Sequence, residues 1–137
     1  MNNTFITYSD GGARGNPGPA GIGAVILSSD KQEVLRISEY VGETTNNQAE
    51  YKALIRVLEE AGKLGSVKLL CHLDSELVVR QLQGRYKIRE ESLKPLAEQA
   101  LRLTRQFESV EFVHVKREKN KLADKLVNQA LDIHQKN

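Results

Sequence analysis

Cysteine is almost missing from this chain. Cys71 stands alone among 137 residues, so no internal disulfide can form, which fits a reducing, cytoplasmic setting. It lies in the apolar run Val67 to Leu73 and is expected to pack there. No apolar stretch is long enough to cross a bilayer, and Met1-Asn2-Asn3 leads straight into polar alternation. Neither a membrane span nor a signal peptide is therefore expected. The few histidines, His72, His114 and His134, lack metal-ligand spacing; the first two fall on expected strands and read as packed or surface residues. Neither G-x-x-x-x-G-K-S/T nor a complete G-x-G-x-x-G occurs, and a strand rather than a helix follows Gly11 to Gly21. That context excludes a nucleotide-binding glycine loop. Internal repeats, linkers and low-complexity tracts are also lacking.

What is present is ordinary for a soluble globular protein: 39% hydrophobic and 28% charged residues. The length suits one domain, residues 1–137, with a single core. A net charge of +2 and a pI near 8.7 are mildly basic, compatible with a polyanionic partner without requiring one. A monomer is the default expectation.

The chain opens with a strand from Thr4 to about Ala13 that delivers Asp10 into the turn Gly11-Gly12-Ala13-Arg14-Gly15-Asn16-Pro17-Gly18. Glycines there leave main chain bare for close approach by a ligand. Gly21 to Leu27 is nearly all apolar, as a strand covered on both faces should be. Glu33 to Val41 alternates as a third strand, and short links make these three antiparallel.

The period then becomes helical. Thr45-Asn46-Asn47-Gln48 has capping-box spacing, ahead of an apolar stripe from Ala49 to Ala61 that stops at Gly62. Val67 to Leu73 is a fourth strand. Asp74-Ser75 caps a short helix from Glu76 to about Gln83. Ser92-Leu93-Lys94-Pro95 opens another, with Leu96, Ala97, Ala100, Leu101, Thr104 and Phe107 on one face. Val110 to Val115 is the fifth strand, and Leu122 to about Ile133 a last amphipathic helix. Helical crossovers make strands four and five parallel to their neighbours. Stacked beside the first strand, they give an α/β fold: a five-stranded mixed sheet, order 3-2-1-4-5, flanked by helices.

In that layout Asp10 and Asp74 end adjacent central strands. Glu50 sits on the edge of its helix's apolar stripe, and Asp124 repeats the arrangement between Ala123 and Leu126. Each has a plainer role. Asp74 serves as a helix cap, while Glu50 and Asp124 suit the positive end of a helix dipole. Taken together they bring four like charges to one edge of the sheet, where they stay ionised only around a cation. Oxygen-only ligands point to Mg²⁺ or Mn²⁺ rather than zinc.

The segments Asp10 to Gly18, Thr45 to Glu50, Asp74-Ser75 and Asn120-Lys121-Leu122-Ala123-Asp124 resemble type 1 ribonucleases H over nearly the whole chain. The resemblance implies a ribonuclease H-like fold and an endonuclease that hydrolyses the RNA strand of RNA/DNA hybrids, leaving 5′-phosphate and 3′-hydroxyl ends. It implies Asp10, Glu50, Asp74 and Asp124 as catalytic metal ligands, holding two ions when substrate is bound. It further implies that Gly11, Asn16, Asn46 and Asn47 contact RNA 2′-hydroxyls and that Thr45 contacts a DNA-strand phosphate, though Thr45-Asn46-Asn47 also read as pure helix capping.

The chain departs from the family pattern in three places. Glu76 stands where a glutamine is usual, an acceptor for a 2′-hydroxyl that also repels phosphate. The basic, tryptophan-containing insertion of many members is missing: only Arg85 to Ser92 separates Gly84 from Leu93, and the chain has no tryptophan. That resembles the compact archaeal-type branch, in which RNA duplexes are a further substrate, and predicts salt-sensitive binding. Tyr86 in this segment reads as a packed loop residue, with stacking on a sugar or base as the other role. Finally, Arg117 lies nearest the place of a histidine that helps product leave. It holds or releases the scissile phosphate, or it belongs to a solvated basic loop. A related nuclease of the same fold and a non-catalytic hybrid-binding module are the rival functions; the second predicts a missing carboxylate, and none is missing.

Overall fold

The structure, a computed structural model, describes residues 3–136. Met1 and Asn2, on which the expected absence of a leader partly rests, lie outside the described residues, as does Asn137.

Three antiparallel strands open the fold: β1 (Thr4–Ala13), β2 (Gly18–Ser28) and β3 (Glu33–Thr44). Helix α1 (Asn46–Lys63) crosses to β4 (Lys68–Leu73), which runs parallel to β1. Next come α2 (Glu76–Leu82), a short 3-10 turn (Glu91–Leu93) and α3 (Lys94–Thr104), which lead to β5 (Ser109–His114), parallel to β4. A second 3-10 turn (Arg117–Lys119) precedes α4 (Lys121–Lys136). The sheet order is β3-β2-β1-β4-β5, as the crossovers require. No helix among the described residues is long and apolar enough to cross a membrane.

Two strands are longer than their hydrophobic patterns. β2 begins at Gly18 rather than Gly21, and β3 runs to Thr44 rather than Val41. Each extension is paired with the other, Gly18 opposite Thr44 and Pro19 opposite Glu43. Backbone hydrogen bonding carries this stretch where side-chain hydrophobicity gives no signal. The result is that the sheet reaches to within one residue of the cap of α1.

The alternation along β1 assigns its two faces. Thr7, Ser9 and Gly11 look toward α1, and Gly12 toward Val127 of α4. Helices α1, α2 and α3 share one buried cluster, which includes Tyr51, Leu54, Leu58, Leu73, Val78, Val79 and Ala100. Cys71 is fully buried there, as expected, and burial pushes its thiol up to about 12. Leu101 departs from expectation. It is exposed, because the inward row before it is Leu93, Ala97 and Ala100, and one residue further turns away by about 100°.

Close approach, more than ligand access, explains the glycines. A Cβ on Gly11 would lie 2.3 Å from the backbone carbonyl of Ala49, and one on Gly23 would lie 2.3 Å from the carbonyl oxygen of Ala123. Helix α1 therefore sits against β1 on one face, and α4 against β2 on the other. Both distances lie far inside van der Waals contact, so no side chain fits at either position.

Candidate active site

Asp10 sits near the end of β1, beside the strand from which Asp74 emerges. Asp74 is relieved of the capping duty open to it, because Ser75 does the work: its hydroxyl accepts from Val78 N at 3.2 Å. Glu50, on the first turns of α1, is only 5% exposed. Its Oε1 accepts from Gly11 N at 2.6 Å, so the strand backbone holds this carboxylate against the sheet. Ligand oxygens of Asp10, Glu50 and Asp74 all lie within 4.8 Å of one another.

Burial and mutual repulsion leave this cluster short of positive charge. Burial raises the Asp10 carboxyl to about 6; a hydrogen bond with Glu50 opposes the rise, and the charges of Asp74 and Asp124 add to it. Glu50 is held well above the usual carboxylate range by burial first, then by its hydrogen bond to Asp10 and that neighbour's charge. Asp74 is also raised, again chiefly by burial, with the Asn120 amide and Arg117 pulling the other way. Oε2 of Glu50 is buried and has no donor. No positive charge is buried beside it, and the Asp10 carboxylate is its crowding neighbour. An oxygen-only donor set, one buried orphan oxygen and three crowded carboxylates fit a hard divalent cation.

Asp124, on the first turn of α4, lines the same cavity of about 480 Å³ but stands outside the tight group of three. Its Oδ1 lies 4.0 Å from an Arg117 side chain that is 83% exposed. Arg117 thus stands at the mouth of the site, free of any buried anchor.

The cavity continues from the carboxylates past Gly11 and Gly12 to Asn46 and Asn47. Asn46 N donates to Asn16 Oδ1 at 3.0 Å, and Ala13 N donates to Asn46 Oδ1 at 2.8 Å. Each of these two amides spends its carbonyl oxygen bracing the turn against α1. Asn46, which lines the cavity, keeps its Nδ2 group as a donor, while Asn16 lies outside the lining and supports Asn46 from behind.

Thr45 is occupied differently. Its hydroxyl accepts from Gln48 N at 3.2 Å, and its N–H and hydroxyl both point to Gln48 Oε1, at 3.0 and 3.1 Å. In this structure both Thr45 donors are engaged within the capping box. Glu76 is exposed outside the cavity and faces Arg80 at 3.6 Å. Tyr86, expected to pack, is instead 46% exposed beside Leu77 and Arg85. His72 stacks on Tyr8 with ring centroids 4.4 Å apart and takes no part in the cluster.

Two residues fall inside the sequence motifs, but their roles do not show in a linear pattern. Arg14 reaches from the turn to the outer side of α4, meeting Asp132 at 2.8 Å, Gln135 at 2.7 Å and Asn128 at 3.2 Å. Asn120 lies behind the carboxylates, hydrogen-bonded to Ser9 O and Asp74. Both depend on contacts across more than forty residues of chain.

Comparison with known proteins agrees with this geometry. A family model described as reverse transcriptase-like matches residues 8–130. The fold is similar to RNase H1 from the archaeon Halobacterium salinarum, with a TM-score of 0.92 and 40% identity over 94% of this chain and 98% of that one. It is likewise similar to LC11-RNase H1, from compost, solved in complex with an RNA/DNA hybrid. There the TM-score is 0.91 and the identity 46%, over 96% of this chain and 99% of that one. A bifunctional protein of Mycobacterium tuberculosis is 46% identical over 128 residues, 93% of this chain but 35% of the relative. The chain thus spans about a third of the mycobacterial relatives it matches, and 63% of the curated halobacterial ribonuclease HI.

Proposed function

Since the chain belongs to the type 1 ribonuclease H family, we propose that it is an endonuclease hydrolysing the RNA strand of RNA/DNA hybrids. The observation that carries this reading is the convergence of Asp10, Glu50 and Asp74 at one end of a cavity whose other end offers the amide donors of Asn46 and Asn47.

Asp10, Glu50 and Asp74, with Asp124 joining when substrate arrives, would hold two Mg²⁺ or Mn²⁺ ions. Such ions supply an activated water, charge neutralisation on the phosphate and stabilisation of the leaving 3′ oxygen, giving 5′-phosphate and 3′-hydroxyl ends. The protein's own residues do the rest. Gly11 N fixes Glu50, and the Nδ2 groups of Asn16, Asn46 and Asn47 donate to RNA 2′-hydroxyls, the group that separates RNA from DNA. Arg117, exposed at the mouth, meets the scissile phosphate. The enzyme works as a cytoplasmic monomer.

Cleavage of RNA duplexes is a second activity, favoured by Thr45. With both of its donors held by Gln48, the site has a weak grip on the phosphates of the second strand and little means of insisting on DNA there.

A panel of end-labelled RNA/DNA hybrid, RNA duplex and DNA duplex tests both statements in Mg²⁺, in Mn²⁺ and with chelator. Hybrid should be cut at internal RNA positions in metal only, RNA duplex more slowly, and DNA duplex not at all. An intact hybrid in both metals would leave a binding module as the better description.

A further inference from the structure

Asn120 joins the second 3-10 turn to α4 and is 1% exposed. Burying a primary amide is costly unless its polar atoms find partners. Here the Nδ2 group donates to Ser9 O at 2.9 Å and to Asp74 Oδ2 at 3.2 Å. Its backbone carbonyl accepts from Asp124 N at 3.1 Å, and its own N–H donates to Arg117 O at 2.9 Å. Oδ1 has no partner.

Each of these partners leads to a different part of the cluster. Ser9 immediately precedes Asp10, so the bond to its carbonyl ties Asn120 to the strand that carries the most crowded carboxylate. Asp74 is touched directly, through one oxygen. Asp124 is placed by the first turn of the helix that Asn120 starts. One neutral side chain therefore spans β1, the end of β4 and α4.

We propose that Asn120 is a positioning residue that sets the aim of the Asp74 carboxylate and so the affinity of the site for a divalent cation. Held at Oδ2, Asp74 is kept turned into the group in which it lies within 4.8 Å of Asp10 and Glu50. An untethered Asp74, half-buried and repelled by two neighbours, would turn toward solvent. A neutral donor is required, because a carboxylate there would add to the repulsion. This inference rests on the reading of the carboxylates as metal ligands.

The test is calorimetric titration of the full chain with Mn²⁺ alone, without nucleic acid, alongside thermal melts. Asn120→Ala is compared with wild type and with Leu58→Ala, a core truncation of comparable cost to stability placed two turns beyond Glu50. Asn120→Ala should bind Mn²⁺ about tenfold more weakly, the scale of one hydrogen bond to a charged group, while Leu58→Ala stays within threefold of wild type. Asn120→Ser suits a helix start and is polar, but it is too short to bridge both partners. It should show the same loss, and it stands in should the alanine variant not fold. Wild-type affinity in both Asn120 variants, or an equal loss in Leu58→Ala, overturns the proposal. A wild type that binds no Mn²⁺ would instead sink the metal-site reading beneath it.

Discussion

Asn46 and Asn16 hold each other across thirty residues of sequence: the backbone N–H of Asn46 donates to Asn16 Oδ1 at 3.0 Å, while Asn46 Oδ1 accepts from Ala13 N at 2.8 Å. One end of the Asn46 amide braces the turn, and the proposed recognition falls to the other. Asn46→Asp keeps the oxygen that braces the turn, suits the first position of α1, and removes the outward donor. It should melt within a few degrees of wild type yet raise KM for hybrid about tenfold, the value of one lost hydrogen bond. Unchanged KM would show that the Nδ2 group touches nothing.

Gly11 and Gly12 are neighbours with opposite tolerance. A methyl group on Gly11 meets the Ala49 backbone at 2.3 Å, whereas on Gly12 its nearest contact is Val127 Cγ1 at 3.8 Å. Gly11→Ala should cost at least about 3 kcal/mol and displace Glu50, while Gly12→Ala should cost less than about 1 kcal/mol. Urea denaturation midpoints decide the matter, and equal midpoints would contradict the seating of α1 described above.

Asp10 titrates near 6 in the folded, metal-free protein against an ordinary value of 3.8. The folded state therefore holds the extra proton between those values, and its stability falls as pH rises from about 4 through 6. The fall amounts to roughly 3 kcal/mol from this residue, fully expressed above the folded value. In chelator, wild type should lose more melting temperature between pH 5 and pH 7.5 than Asp10→Asn, which cannot ionise there. Mg²⁺ should reverse the loss in wild type alone. The same Asp10→Asn protein should fold and fail to cut hybrid.

Among the described residues, the Arg117 side chain pairs with Asp124 alone, at 4.0 Å. Its replacement by alanine should lower kcat for hybrid about tenfold or more and leave KM within threefold, as expected for a group engaged at the reacting phosphate rather than in ground-state binding. Single-turnover and steady-state rates together separate cleavage from product release. Wild-type values for both would make it an ordinary solvated arginine.

Arg14 ties the turn to α4 through Asp132, Gln135 and Asn128. The ion pair is partly exposed, so Arg14→Ala should cost no more than about 1 kcal/mol. The turn that carries Asn16 loses its outer support, and KM should rise a few-fold, with a smaller gap from wild type at 0.5 M salt, where the ion pair is already screened. A gap that widens with salt would argue against the clamp.

The sequence was informative wherever one short stretch determines the outcome. Thr45 and Gln48 announce the capping box, and helical crossovers leave few places for β4 and β5. The carboxylates stood out because each follows a strand or opens a helix. What the sequence does not reveal depends on contact between distant stretches. The closeness of Gly11 to Ala49 is invisible until α1 lies on the sheet, so the glycine looked like open main chain. Leu101 looked apolar and inward, but Leu93 sets a different phase for the helix face. Nothing near Tyr86 in sequence says whether its loop folds over it, and in the structure the loop does not. Asn120 looked like part of a motif, with its Ser9 partner 111 residues away.

Two absent methyl groups have a further consequence. Gly11 and Gly23 lie on opposite sides of the sheet, each beneath a different helix, and what they contribute is thickness rather than flexibility. They act as the thinnest available spacers, setting how high α1 and α4 ride and hence how far apart Glu50 and Asp124 stand across the sheet edge. Enlarging either would lift one wall of the carboxylate gap while leaving every charged group chemically intact. A chain altered in that way would keep its full set of acids and lose the span between them.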